Sequence, residues 1–447
     1  MLKTIRHYFP DLFERMELLE DHRQRRAYTI AELVTGCIAL FLFKEASRNA
    51  INNDRKEEQF RKNYERIFKL SLPHMDTVDD FLRLLSADEL EHFKAAMVSA
   101  LIEQKVLHQF KLLRKYFMVA IDATGINSYD ENNEEKDRVH KTSKNGKTTY
   151  HSYVLEARLV TASGLSISIA SEWIANDAER NFNKQDCEMK AFERIAAKIK
   201  KYFPRLPICI LADGLYPNAT FMQTCADNDW QYIAMLKDDS MKTLQTTVID
   251  TENKHRHKQQ RRHTSNKGMC VTTGNYEWIS QPLYYKTHRL YWLSCTETKA
   301  WYSKAKDGSR QLEKEESTRF VWLTSLAPDN DNAHQIAEGG RMRWKIENEG
   351  FNTQKNNGYA LGHLFNRTSS AGYKNYYQCL QIAHIINQLI EHSQTVTELL
   401  DSDKKITIKY LWKLLNALLL MQGIITEEGA ESGKRCQIRL RKRKRQR

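Results

Sequence analysis

Three acidic residues stand where a folded chain can gather carboxylates. Asp122 ends an apolar run in MVAIDATGI (118–126), Asp213 ends another in ICILADGLYP (208–217), and Glu347 lies in the charged stretch RMRWKIENEGFNTQK (341–355). An Asp just past a buried strand sits at a sheet edge, where several elements converge. Three convergent carboxylates are hard oxygen donors suited to Mg²⁺ or Mn²⁺, with a substrate phosphate completing the coordination. Two such ions about 4 Å apart can activate a water or a 3′-hydroxyl and stabilise the leaving oxygen in phosphoryl transfer. Taken singly, each acid has a plainer reading. A strand-terminal Asp commonly serves a turn or a helix cap, and a helical Glu between Arg and Lys commonly makes a surface ion pair.

The elements needed to position these acids are legible around them. Residues 1 to about 110 read as helical, with a capping box at Thr29 and Glu32, a second cap at Thr77 and Asp80, and a third at Ser86 and Glu89. From Tyr116 the texture becomes that of strands: 117–121, then 151–161 and 165–173 joined at Ser163-Gly164, then 208–212 and 231–236. The stretch 129–147 lacks apolar periodicity and reads as a surface loop. Helices are expected at about 185–202 and after Asn218, giving the order β-β-β-α-β-α-β, an α/β plan with one mixed sheet. Residues 238–318 interrupt it with strand-like pieces at 276–279, 283–285 and 290–295, a β-rich insertion. After a strand at 320–323, residues 332–357 read as one helix ended by Gly358, and 371–392 as a core helix. At about 100° per residue Arg343 and Glu347 share a helix face, Glu349 lies about 200° from Glu347, and Lys355 about 80° from it.

Composition bounds the rest. A chain of 447 residues with 41% hydrophobic residues and only 7 prolines and 17 glycines folds into more than one domain. Its longest apolar run, 33–43, is too short to cross a bilayer, and the start shows no signal-peptide layout, so a soluble, intracellular protein is expected. Eight scattered cysteines without a CxxC pair argue against a disulfide framework or a zinc finger. The net charge of +13 is concentrated in residues 434–447, which carry nine Lys or Arg and no acid. That tail is either a solvated extension or an arm that binds phosphates by counterion release. The run HRHKQQRRH (255–263) is too crowded with positive charge for a metal and reads as a basic loop that touches DNA or water.

The stretch RWKIENEGFNTQKNNGYALGHLF (343–365), with its Arg-Trp-x-Ile-Glu, and the strand ends AIDATGI and LADGLYP resemble the Asp-Asp-Glu transposases of bacterial insertion sequences, in the branch related to insertion sequence 4. Trp173 to Asn176 resembles a further segment of that family. The resemblance runs from the early helices to about Phe365. It implies an α/β fold with an RNase H-like mixed-sheet catalytic core, a β-rich insertion between the second Asp and the Glu, and a preceding helical domain. The insertion accounts for the 134 residues separating Asp213 from Glu347. The domains expected are 1–112 (helical, DNA-binding), 113–237 (first part of the core), 238–318 (insertion), 319–395 (second part, with the catalytic helix) and 396–447 (C-terminal helices and basic tail).

The same resemblance makes Asp122, Asp213 and Glu347 both the catalytic residues and the metal ligands, for Mg²⁺ or Mn²⁺ and two ions. It makes Arg343, Lys355 and Trp301 the candidate DNA contacts. It implies cut-and-paste transposition of double-stranded DNA by a homodimer on two transposon ends, in the cytoplasm of a bacterium at its nucleoid, with no membrane partner. The branch signature is Tyr, two residues, Arg, three residues, Glu, six residues, Lys. Here Gly340 holds the Tyr position and Gln354 the Lys position, with Lys355 one residue late. Trp278, Trp292 and Trp301 are candidates for the stacking role that accompanies a DNA hairpin intermediate, although a core position is the plainer reading of each. Two alternatives stand beside the transposase: a structure-selective nuclease on the same fold, and a catalytically inactive DNA-binding protein derived from a transposase.

Overall fold

The computed structural model describes residues 1–129, 139–176, 185–265, 269–304, 309–363, 365–366, 368–400, 406–423 and 440. The chain opens with α1 (Leu2–Tyr8), α2 (Leu12–Met16), α3 (Ile30–Leu42), α4 (Arg48–Asp54), α5 (Glu58–Phe68), α6 (Met75–Leu84) and α7 (Ala87–Glu103). Then come β1 (Phe117–Tyr129), β2 (Val139–Thr142), β3 (Thr148–Val160), β4 (Ser166–Ile174), α8 (Glu188–Tyr202), β5 (Ile208–Ala212), α9 (Ala219–Asp227), β6 (Gln231–Met235) and α10 (Lys242–Asp250). The strands β7 (Arg256–Ser265), β8 (Cys270–Ile279), β9 (Leu283–Tyr285), β10 (His288–Lys304) and β11 (Arg310–Thr324) follow, and then α11 (Ala333–Arg341). A π-helical segment (Ile346–Asn352) leads into α12 (Thr353–Asn356), α13 (Ser370–Glu391), α14 (Gln394–Leu400) and α15 (Ile408–Met421). No helix among the described residues is long and apolar enough to cross a membrane.

This mixed α/β chain divides into two compact units. One comprises residues 1–109, 123–204 and 345–447, the other 110–122 and 205–344. In the first, α3 carries the expected capping box: Thr29 accepts from the Glu32 amide while Glu32 accepts from the Thr29 amide. Twelve of its thirteen residues are buried, so it is an interior helix and not an amphipathic surface one. It packs on α13, itself buried along most of its length. Strand β3 pairs antiparallel with β2 and with β4.

In the second unit the strands run in the order β1-β5-β6-β11-β10-β8-β7, with β9 on β10. The β1-β5 and β5-β6 pairs are parallel and the remainder antiparallel. The parallel-paired parts of these strands, 117–120, 208–212 and 231–235, are mostly buried apolar runs, as strands covered on both faces must be; the strand expected to end at Asp122 instead runs on to Tyr129.

Several expectations are corrected. The helix expected to be capped by Thr77 begins earlier, at Met75, with His74 as its cap, because the His74 ring accepts from the Asp76 amide. Ser86 does precede α7, but its side chain makes no capping bond. The stretch read as a loop contains β2, which turns back through Gly146 at φ 79°; residues 130–138 lie outside those described. The basic run 255–263 is no loop: it forms most of the edge strand β7, its polar side chains largely exposed. Unpaired edges favour charge of this kind, because it discourages pairing with another chain. The single helix expected over 332–357 is interrupted at 342–343 and continues through the π segment.

Candidate active site

The aspartates are placed by backbone pairing. Along the β1-β5 ladder Phe117 pairs with Ile208 and Ala120 with Leu211, so two residues further on Asp122 stands level with Asp213. Neighbouring strands lie about 4.8 Å apart, and level residues on paired strands face the same side of the sheet. Both residues are half-buried. Asp213 Oδ1 accepts from the Leu215 amide at 2.9 Å, a turn contact of the kind a strand-terminal Asp ordinarily makes, which leaves its second oxygen available. Asp122 Oδ2 lies 3.5 Å from Arg343 Nη1, whose side chain is 9% exposed. The guanidinium also lies 5.5 Å from the Trp344 ring. Arg343 is therefore an inward partner of Asp122 in this structure and not a surface contact.

Glu347 belongs to the other unit and is half-buried within the π segment. Single π turns inside α-helices are rare and recur at functional sites. This one is held by close packing: a Cβ on Gly350 would meet Ser166 Oγ at 3.2 Å and Arg158 Cδ at 3.3 Å, and the Arg158 guanidinium lies 5.5 Å from the Phe351 ring centroid. Glu349 pairs with Lys345, both half-buried. Because the backbone is π-wound here, the angles derived for a regular α-helix do not carry through to Lys355, which is exposed.

Among the described residues no group of three or more His, Cys, Asp or Glu side chains stands together as a metal site. The donor chemistry of the Asp122 and Asp213 pair nonetheless fits a hard divalent ion: two carboxylates on one face at one level, both partly open to solvent.

The two departures from the transposase signature have physical causes. A Cβ at Gly340 would lie 2.6 Å from Trp322 Nε1 and 3.0 Å from Ile233 Cγ2, so the packing of the buried Trp322 excludes any side chain. Gly340→Ala is expected to destabilise the fold by about 1–3 kcal/mol through overpacking, read as a lowered thermal midpoint; an unchanged midpoint would mean that Trp322 moves aside freely. Gln354 is fully buried and donates to Gln381 Oε1 at 2.8 Å and to His384 Nδ1 at 3.0 Å. That position serves the interior and leaves no room for a cation reaching DNA. Of the three tryptophans considered for stacking, Trp278 and Trp292 are core residues, 1% and 4% exposed. Trp301 is half-buried beneath the Lys314 ammonium, at the β-bulge of β10.

The structure also shows a cluster that sequence reasoning passed over. Arg158 and Glu156, both 0% exposed, lie side by side on β3 with Arg158 Nε 3.5 Å from Glu156 Oε2. Arg158 donates to the Ser166 carbonyl at 3.1 Å and to Gln381. Glu156 accepts from Ser171 and, at 2.8 Å, from the Tyr377 hydroxyl. Burial, and then the Arg158 charge, hold the His384 pKa well below its ordinary value. The neutral ring offers Nδ1 as an acceptor to Gln354 and Gln388. The available signal was the pair of charges inside the apolar strand YVLEARLV.

Comparison with known proteins gives the following. Residues 115–349 match the family model described as Transposase DDE domain, a stretch that contains all three candidate acids. No curated protein matches the chain. Among solved structures, the cryo-EM structure of the piggyBac transposase synaptic complex with hairpin DNA is similar at 9% identity and a TM-score of 0.42, covering 94% of this chain and 80% of that one.

Proposed function

Because the chain belongs to the Transposase DDE domain family, we propose that it is an active DNA transposase whose chemistry is carried by Asp122, Asp213 and Glu347. The observation that carries the proposal is the β1-β5 ladder, which brings the two aspartates to one level on one face. Mg²⁺ or Mn²⁺, as one or two ions bound by these carboxylates, would activate a water or a 3′-hydroxyl and offset the charge on the leaving oxygen. The chain's own part is to hold the donors. The Leu215 amide fixes one oxygen of Asp213 and frees the other. Arg343 balances the charge of Asp122 until DNA and metal arrive. Glu347 supplies the third carboxylate from its π turn.

In this reading the core is RNase H-like, and residues 238–318 form the insertion between its two parts, 113–237 and 319–395. Residues 1–112 bind DNA, and 396–447 form the C-terminal part. The enzyme binds the terminal inverted repeats of its element, nicks them and joins the freed 3′ ends to a target. It works as a homodimer, in the branch related to insertion sequence 4, at a bacterial nucleoid. Lys355 and Trp301 contact the DNA, with Arg343 shifting from Asp122 to a phosphate. The basic tail, which lies outside the described residues except for Leu440, adds non-specific affinity.

The test is cleavage of a labelled duplex made from the DNA flanking the coding sequence, in Mg²⁺, Mn²⁺ or EDTA. Metal-dependent 3′-end cutting is expected in the wild type, falling by about 10³-fold or more in Glu347→Ala and little in Glu349→Ala. The reverse pattern would overturn the assignment of Glu347. Binding without cutting in either metal would favour the catalytically inactive DNA-binding descendant.

A further inference from the structure

Strand β6 continues the parallel series beside the aspartates. Cys209 pairs with Gln231 and Ala212 with Ala234, so the carboxyl ends of β5 and β6 fall level with Asp122 on β1, at the kind of edge where open α/β sheets receive their ligands. Lys237 follows β6 at that edge. Its stem is laid across the residue next to Asp213: a Cβ built on Gly214 would lie 2.5 Å from Lys237 Cγ, 2.9 Å from Cδ and 2.7 Å from Cε. Gly214 is not in the left-handed region, so its backbone conformation does not call for glycine. The passage of the lysine stem does.

The base of Lys237 is equally fixed. Its carbonyl accepts from the Ser240 amide at 3.1 Å, from Ser240 Oγ at 2.9 Å and from Gln245 Nε2 at 3.0 Å. Gln245 Nε2 also bonds the Asp238 carbonyl and the Ser240 carbonyl, and the Leu236 amide bonds the Val321 carbonyl at 2.9 Å. The residue is exposed, and the ammonium forms no ion pair with any described residue. A structural lysine would spend its charge on an acid. Here the stem is bedded against Gly214, the residue next to Asp213, while the residue stays exposed.

We propose that Lys237 is a phosphate-binding residue of this edge, its Nζ taking a non-bridging oxygen of a DNA phosphate adjacent to the one being cut. An ammonium serves such a phosphate as a point charge. The proposal rests on the transposase reading, and it adds a substrate contact outside the three acids and outside the signature positions.

The experiment measures binding of the flanking-DNA duplex in EDTA, where no cutting occurs, over a series of salt concentrations, with thermal midpoints as the check on folding. Loss of one phosphate contact makes the slope of log affinity against log salt shallower by about 0.9. Lys237→Met is expected to show that change with several-fold weaker binding, and Lys237→Arg to keep most of the wild-type slope. Gly214→Ala leaves the lysine in place but lifts its stem, so it should weaken binding in the same direction. It should add nothing in a Lys237→Met background, the non-additivity of two changes acting on one contact. A wild-type slope in Lys237→Met, or additive effects in the double variant, overturns the role of Lys237 and leaves the transposase reading standing. A wild type that binds no duplex at any salt overturns both.

Discussion

Asp213→Asn is expected to slow metal-dependent strand cleavage by about 10³-fold or more, equivalent to about 4 kcal/mol of lost transition-state stabilisation, with duplex binding in EDTA little changed. Asparagine keeps the shape of the side chain, and its carbonyl oxygen can still accept from the Leu215 amide. Only the charge that would hold a divalent ion is gone. Asp122→Asn should lose activity as completely but for a mixed reason. It also removes the negative charge 3.5 Å from the nine-tenths-buried Arg343 guanidinium, at a cost of about 1–3 kcal/mol. The two variants therefore separate in a thermal melt: the midpoint falls for Asp122→Asn and holds for Asp213→Asn. Equal midpoints would mean that the Arg343 contact is too weak to order the edge. Cutting at the wild-type rate by Asp213→Asn would remove this residue from the chemistry altogether.

Arg158→Met is expected to destabilise the fold by about 3–5 kcal/mol, because it strands a buried carboxylate. Glu156 would keep its bonds from Ser171 and Tyr377, yet lose the one cation beside it on β3. The buried Lys94 donates instead to Ser168 and Ser171 at 2.9 Å; burial lowers its pKa, with Glu156 and Glu91 drawing it back up. Pairing Arg158→Met with Glu156→Leu should recover much of the loss, since replacing both ions by apolar side chains removes the stranded charge. Denaturant unfolding of the single and double variants checks this, and a double variant no more stable than Arg158→Met would sink the argument. Even a stable double variant should cut DNA more slowly, because Gly350 and Phe351 rest on the Arg158 side chain and Glu347 shares their turn.

What the sequence made legible and what it hid follow from the same physics. The apolar runs before Asp122 and Asp213 were legible because hydrophobic pattern is the strongest local signal a chain carries, but that pattern did not show that β1 continues past Asp122 to Tyr129. The capping boxes were legible only where geometry agreed: Thr29 and Glu32 formed theirs, while Thr77 lost to His74 because the helix starts three residues, nearly a full turn, earlier. Strand β7 was invisible as a strand, for its residues alternate no apolar face and its partner β8 is what orders it. The Arg158 and Glu156 pair was hidden because charge normally means surface. Gly340 stood out as a departure from a pattern, but its cause, Trp322, lies eighteen residues back and meets it only in the fold.

The π turn of the helix bearing Glu347 can also be counted in residues gained and lost. An i→i+5 turn holds one residue more than an α turn, so everything after Asn352 lags one place around the axis. Lys355 takes the bearing that residue 354 would have in an unbroken helix, and Gln354 swings inward to Gln381 and His384. In the insertion-sequence signature six residues separate glutamate from lysine; here there are seven. The π turn thus turns Gln354 into the interior while leaving Lys355 exposed.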